Sequence, residues 1–142
     1  KKKKIAGSGN FTEGIAARGF QAIRAVEGVV ESVAQLDARA LQGTHALCHN
    51  LFVEAECRQL QARTANSSVL VLDPPRDGFK HIAALLPKKH GYRDVFYISC
   101  DVATFSRDLQ VLLEAVLTVR ELQPLDLFPH TPHVELLCWL QA

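Results

Sequence analysis

The chain has 142 residues, 48% of them hydrophobic, enough for one domain with a buried core. Charged residues make up 22% and the formal net charge is +1, so bulk charge points to no polyanionic partner. No apolar run approaches the roughly 20 residues of a membrane-spanning helix, no signal peptide is visible, and the cysteines at 48, 57, 100 and 138 fit neither a C-x-x-C pair nor a zinc spacing. An intracellular protein with free thiols and no metal is expected. Methionine is absent even at position 1, which points to a fragment. Lys1–Lys4 and the Lys88-Lys89-His90 cluster read as solvated charge.

In chain order, "GSGN" at 7–10 reads as a turn leading into a helix, with almost no strand before it. Residues 20–27 read as a short strand. Residues 29–41 carry Val30, Val33, Ala34, Leu36, Ala38 and Leu41 near helical spacing, with Gly43 as the stop. Residues 45–53 form a weaker strand and 56–63 a short helix. "VLVL" at 69–72 is a continuous apolar run that suits a parallel strand covered on both faces. A helix over 79–86 and a strand over 95–98 follow. Phe105, Leu109, Leu112, Leu113 and Val116 form the apolar stripe of an amphipathic helix. Strands over 117–125 and 133–141 close the chain with no helix between them. The alternation predicts an α/β fold with a mostly parallel sheet and an antiparallel C-terminal hairpin at one edge.

Open α/β sheets bind ligands beyond the carboxyl ends of their strands, so five exit loops matter. Gly7 and Gly9 allow the backbone to turn tightly and approach a ligand, or make an ordinary strand-to-helix turn. Glu27 ends its strand 18 residues after Gly9, where a carboxylate can accept hydrogen bonds from ribose hydroxyls or simply meet solvent. Asp73 tops the apolar run 69–72, and Pro74 and Pro75 make the turn behind it rigid. Arg76 suits a phosphate or carboxylate, or solvent. Cys100 follows Asp73 by 27 residues, about one βαβ unit, and Asp101 is a good N-cap for the next helix. The cysteine is either a small hydrophobe or a thiol beside a helix N-terminus. Glu135 interrupts an apolar strand. Partial burial there would raise its pKa and suit it to proton transfer, whereas strict alternation would turn it to solvent. His130 and His133 read as loop-shaping residues rather than metal ligands.

Together "GSGNFT", "DPPRDG", "SCDVATFSRDL" and "LDLFPHTPHVE" resemble, in order and near spacing, the motifs of the S-adenosylmethionine-dependent RNA 5-methyluridine (uracil-C5) methyltransferases. The likeness touches nearly the whole chain. It implies a Rossmann-like class I methyltransferase sheet, with residues 1–142 as the cofactor-binding catalytic domain and the family's upstream RNA-binding regions absent. Cys100 would be the nucleophile and Glu135 the general base. Gly7, Gly9, Asn10, Glu27 and Asp73 would hold S-adenosylmethionine, with Glu56 near its adenine and Arg76 contacting substrate. Lys3, Lys4, Ile5 and Ala6 stand where the family has an aspartate-led strand ending in a cysteine.

The implied activity is transfer of a methyl group to C5 of a uridine in rRNA or tRNA, through a cysteine adduct at C6, by a cytoplasmic, monomeric enzyme. Two other readings compete. An amino-directed methyltransferase would use the Asp-Pro-Pro turn but leave Cys100 idle. A non-catalytic binding domain of the same fold would need neither Cys100 nor Glu135.

Overall fold

The computed structural model describes residues 9–20, 22–127, 129–131 and 134–142. Along the chain run α1 (Asn10–Ala16), β1 (Ile23–Glu27), α2 (Val30–Ala38), β2 (Thr44–Cys48), α3 (Glu54–Arg63) and β3 (Val69–Leu72). Then come α4 (Ile82–Leu85), β4 (Asp94–Ser99), α5 (Val102–Glu114), β5 (Thr118–Leu125) and β6 (Glu135–Gln141). They fall into two compact units, Lys1–Leu51 and Phe52–Ala142.

In the first unit β1 and β2 pair in parallel, from Ile23↔Thr44 to Glu27↔Cys48, with α2 as the crossover that parallel pairing needs. Leu36 is the buried anchor of α2. The helix ends before the expected stop at Gly43. Arg39 caps it, Ala40 follows in the left-handed region at φ 48°, and Gly43, at φ 70°, serves the turn into β2 instead. Leu41 had extended the apparent period; it is half-buried in the following turn, not on the helix. No periodicity marked α1, because Thr12 is its one buried residue.

In the second unit the strand order is β3-β4-β6-β5. β3 and β4 are parallel, whereas β6 runs antiparallel to both β4 and β5. The expected hairpin is present, with β6 inside and β5 at the rim. Composition explains the choice: β5 is mostly exposed and carries Arg120, Glu121 and Pro124, which suit an edge, while β6 alternates half-buried and buried residues.

One face of this sheet is core. Leu72, Val95, Tyr97, Leu136, Cys138 and Leu140 are buried there, and the Phe105 ring of α5 meets Tyr97 edge-on at 5.7 Å. Complete burial of a side chain such as Leu112 or Phe105 stabilises by about 1.5–3 kcal/mol. The other face is only half covered. Phe96 stacks on its ladder partner Trp139 at 6.1 Å, and Val71 is 36% exposed, so β3 is not enclosed on both sides as its apolar run suggested.

Two helices differ from expectation. α4 is one turn long, because Phe79, counted as its start, belongs to a loop tied to α5. On α5 the buried stripe is Phe105, Asp108, Leu112 and the cap Ala115, while Leu113 and Val116 face outward. An aspartate therefore occupies a core position that hydrophobic counting passes over.

Candidate active site

The register of the second unit brings three of the singled-out residues to one sheet edge. The β3–β4 ladder ends at Leu72↔Tyr97, and Asp73 follows. The β4–β6 ladder ends at Ser99↔Leu136, so the next positions are Cys100 on one strand and Glu135 on the other. Directly opposed residues share a face, which places Cys100 and Glu135 as neighbours by continuation of the ladder. Glu135 itself pairs with Leu125 of β5. It lies on the half-covered face with Leu137 and Trp139 and is neither sealed in nor fully exposed.

Cys100 is half-exposed. Its backbone is braced on both sides. The Ser99 hydroxyl reaches across the cysteine, donating to the Asp101 carbonyl at 3.0 Å and accepting from the Asp101 N–H at 3.2 Å. Asp101 caps α5 by accepting from the Thr104 N–H at 2.9 Å, as expected for that position. That bond, with the Thr104 hydroxyl and the nearby Arg76 charge, holds the Asp101 carboxyl below the usual range. The Thr104 hydroxyl in turn donates to the Arg76 carbonyl at 2.9 Å, joining the Cys100 loop to the "DPPRDG" turn. Cys57 and Cys138 contrast with Cys100. Both are buried, and burial pushes each thiol up to about 11, with Glu56 and Glu54 adding at Cys57. All four cysteines are free thiols.

Asp73 is half-buried, and among the described residues its carboxylate accepts no hydrogen bond. Burial pushes its pKa from 3.8 to about 6, and the charge of Glu135 adds to the rise. The two carboxylates thus sense each other across the sheet edge. Asp73 is thus a carboxyl pushed up by burial, a property that its place after an apolar strand did not announce. Arg76 is exposed on the turn. Glu56 sits half-buried in the first turn of α3.

Gly9, Asn10 and Glu27 belong to the first unit. Gly9 precedes α1 at φ 94°, and a Cβ there would collide with Leu36 Cδ1, so both conformation and space require glycine. Asn10 is the exposed first residue of α1. Glu27 is fully buried at the end of β1, and its Oε1 accepts from the Gly28 and Val29 N–H groups at 2.8 and 3.0 Å. This carboxylate is held by its own strand exit rather than solvated. Gly7 and His133 lie outside the described residues. His130 is exposed, and no group of three His, Cys, Asp or Glu among the described residues could hold a metal ion.

Sequence reasoning missed the bracing set of Ser99, Thr104, Arg107 and Asp108. One signal was available: position 108 falls between Phe105 and Leu112 on the same helical face, where a charged residue requires buried partners.

The chain has relatives among known proteins. An RNA methyltransferase of Nitrosomonas europaea, itself uncharacterized, is 36% identical over 130 residues, covering 92% of this chain and 33% of that protein. The 23S rRNA (uracil(1939)-C(5))-methyltransferase RlmD of Halomonas elongata is 40% identical over 140 residues, covering 96% of this chain and 28% of that one. The chain therefore spans about a third of the length of these relatives. Among solved structures, the Pyrococcus abyssi tRNA (uracil-54, C5)-methyltransferase in complex with S-adenosyl-L-homocysteine superposes with a TM-score of 0.69 at 26% identity, over 95% of this chain and 32% of that one. Aeropyrum pernix fibrillarin, with bound S-adenosyl-L-methionine, reaches 0.68 at 14% identity over 94% of this chain and 63% of that one, a likeness of fold alone. The fold is that of the class I methyltransferases. A sequence model of the tRNA (uracil-5-)-methyltransferases matches residues 52–142, the unit that contains Asp73, Cys100 and Glu135, and the chain belongs to that family.

Proposed function

We propose that this chain is the catalytic domain of an enzyme that methylates C5 of a uridine in RNA. The observation that carries the reading is the register that puts Cys100 and Glu135 on adjacent strands at the sheet edge topped by Asp73. Each unit by itself carries groups that suit S-adenosylmethionine: in the first, Gly9 gives a close-approach turn and Glu27 is a buried acceptor at a strand exit; in the second, Asp73 is an acceptor without a hydrogen-bond partner among the described residues. Gly7, Gly9, Asn10 and Glu27 in the first unit, and Glu56 and Asp73 in the second, are assigned to it. When bound, it supplies an electrophilic methyl group on a sulfonium.

Uracil C5 is a poor nucleophile, and the chain's own residues must change that. The Cys100 thiolate adds to C6, forming an S–C6 bond and moving the C5–C6 pair onto C5 and O4. C5 would then take the methyl group, the new C5–CH3 bond replacing the methyl–sulfonium bond and leaving the donor sulfur as a neutral thioether. Glu135 removes the C5 proton, and the electrons of that C–H bond restore the C5–C6 double bond as the S–C6 bond breaks. The thiolate is regenerated, the C5 proton rests on Glu135, and no redox partner is needed. A base inside a helix or stack must be flipped out to meet both residues. Arg76, exposed on the "DPPRDG" turn with its charge acting on Asp101, is assigned to the substrate. RNA is thus the partner, rRNA or tRNA, and the cytoplasm the expected place of action. No helix among the described residues is long and apolar enough to cross a membrane.

The test uses the full-length protein and RNA carrying 5-fluorouridine, which has no C5 proton to lose. A covalent protein–RNA adduct is expected with the native sequence and none with Cys100→Ala. Methylation of ordinary RNA by Cys100→Ala would overturn the assignment.

A further inference from the structure

Asp108 lies on the buried stripe of α5 with Phe105 and Leu112, and is 1% exposed. Its oxygens accept hydrogen bonds from three places. Oδ2 accepts from the Phe79 N–H and the Tyr97 hydroxyl, each at 2.5 Å. Oδ1 accepts from Arg107 Nε and Nη2, at 2.8 and 2.6 Å. Arg107 Nη2 also donates to the Asp77 carbonyl at 2.9 Å. One carboxylate therefore joins the loop that follows Asp73, the strand that precedes Cys100 and the helix that follows it.

Gly78 shows how closely the loop is drawn in. It sits at φ 72°, and a Cβ there would lie 2.5 Å from Asp108 Oδ2 and collide with Arg107 Nη2. The glycine of "DPPRDG" and the Arg-Asp pair of "SRDL" are two halves of one joint. A core that needed only stability would be served at least as well by an apolar side chain, since a buried ion is desolvated at considerable cost. What a hydrocarbon cannot supply is a fixed, directional link to one backbone N–H.

We propose that Asp108 is a positioning residue that sets the Asp73 turn against Cys100 and so fixes where the pyrimidine and the methyl group meet. The inference rests on the uridine-C5 reading above. Asp108 touches no reacting atom; it acts through Phe79 and Tyr97. A displacement of about 1 Å between reacting groups can lower a rate by roughly 10²-fold.

The test compares full-length native protein with Asp108→Asn, Tyr97→Phe and Cys100→Ala, measuring kcat and KM for RNA methylation per folded molecule and amide exchange at Phe79. Asparagine keeps the shape but turns an N–H₂ toward the Phe79 or Arg107 donors. Asp108→Asn is expected to lower kcat by about 10²-fold, leave the KM for RNA unchanged and speed exchange at Phe79. Tyr97→Phe, which keeps the packing and removes one donor, shows the same pattern to a smaller degree and serves if Asp108→Asn does not fold. Native kcat per folded molecule in either folded variant overturns the proposal while Cys100→Ala remains inactive. Activity in Cys100→Ala overturns the uridine-C5 reading itself, and this proposal with it.

Discussion

Asp73→Asn should stabilise the protein while disabling it. Burial and the Glu135 charge raise the Asp73 pKa from 3.8 to about 6. That change is a factor of roughly a hundred in proton affinity, or about 3 kcal/mol. The side chain is only half-buried, so solvent screening reduces the figure to about 1–2 kcal/mol. The folded chain holds this proton more tightly than the unfolded chain, so folding takes up a proton between pH 3.8 and about 6. Stability therefore falls as pH rises through that window and stays reduced above it. Asparagine carries no charge to desolvate. Denaturant unfolding of native and Asp73→Asn protein across pH 4 to 8 should show the variant ahead by about 1–2 kcal/mol above pH 6, with the gap closing toward pH 4. Binding of S-adenosylmethionine should weaken in the same variant, the usual exchange of stability for function. A difference that does not vary with pH, or a variant less stable at pH 8, would refute the reasoning.

Two further outcomes follow from local geometry. Val116 ends α5 in the left-handed region at φ 64° and is 70% exposed, so Val116→Gly should raise unfolding free energy by about 1 kcal/mol, read as a shift in denaturant midpoint at constant slope. Alkylation at pH 8 followed by peptide mass mapping should modify Cys48 and Cys100 well before Cys57 and Cys138, whose burial and pKa near 11 withhold the thiolate; equal labelling of all four would contradict the burial pattern.

The sequence was most legible where residue type and position agree. "VLVL" marked β3 to the residue, and Asp101 announced the cap of α5. The antiparallel closing pair could be read from the missing helix between two apolar runs. Cys100 and Glu135, 35 residues apart, stand at the positions just beyond the last β4–β6 ladder pair, Ser99↔Leu136, which the sequence suggests only through motif likeness. What was hidden is what depends on pairing partners. That β6 rather than β5 lies beside β4 follows from burial, not from spacing. The outward turn of Leu113 and Val116 was obscured because Asp108 holds a core position that apolar counting assigns to solvent. Glu135 was singled out for its apolar neighbours, and strand alternation leaves its side chain on the more open face, while the carboxyl that burial raises without a sequence signal is Asp73, which lacks a hydrogen-bond partner among the described residues.

The strand order carries a consequence for how the molecule is assembled. β5 precedes β6 in the chain, yet β6 is its one partner among the described strands and stands between it and β4. β5 therefore reaches the sheet only through β6, the strand that follows it in the chain, and the pair is joined to the rest by the β4–β6 ladder. Because Glu135 begins β6, that carboxylate stands beside the end of β4 only when β6 pairs there, and a molecule lacking that pairing would hold Cys100 without Glu135 next to it.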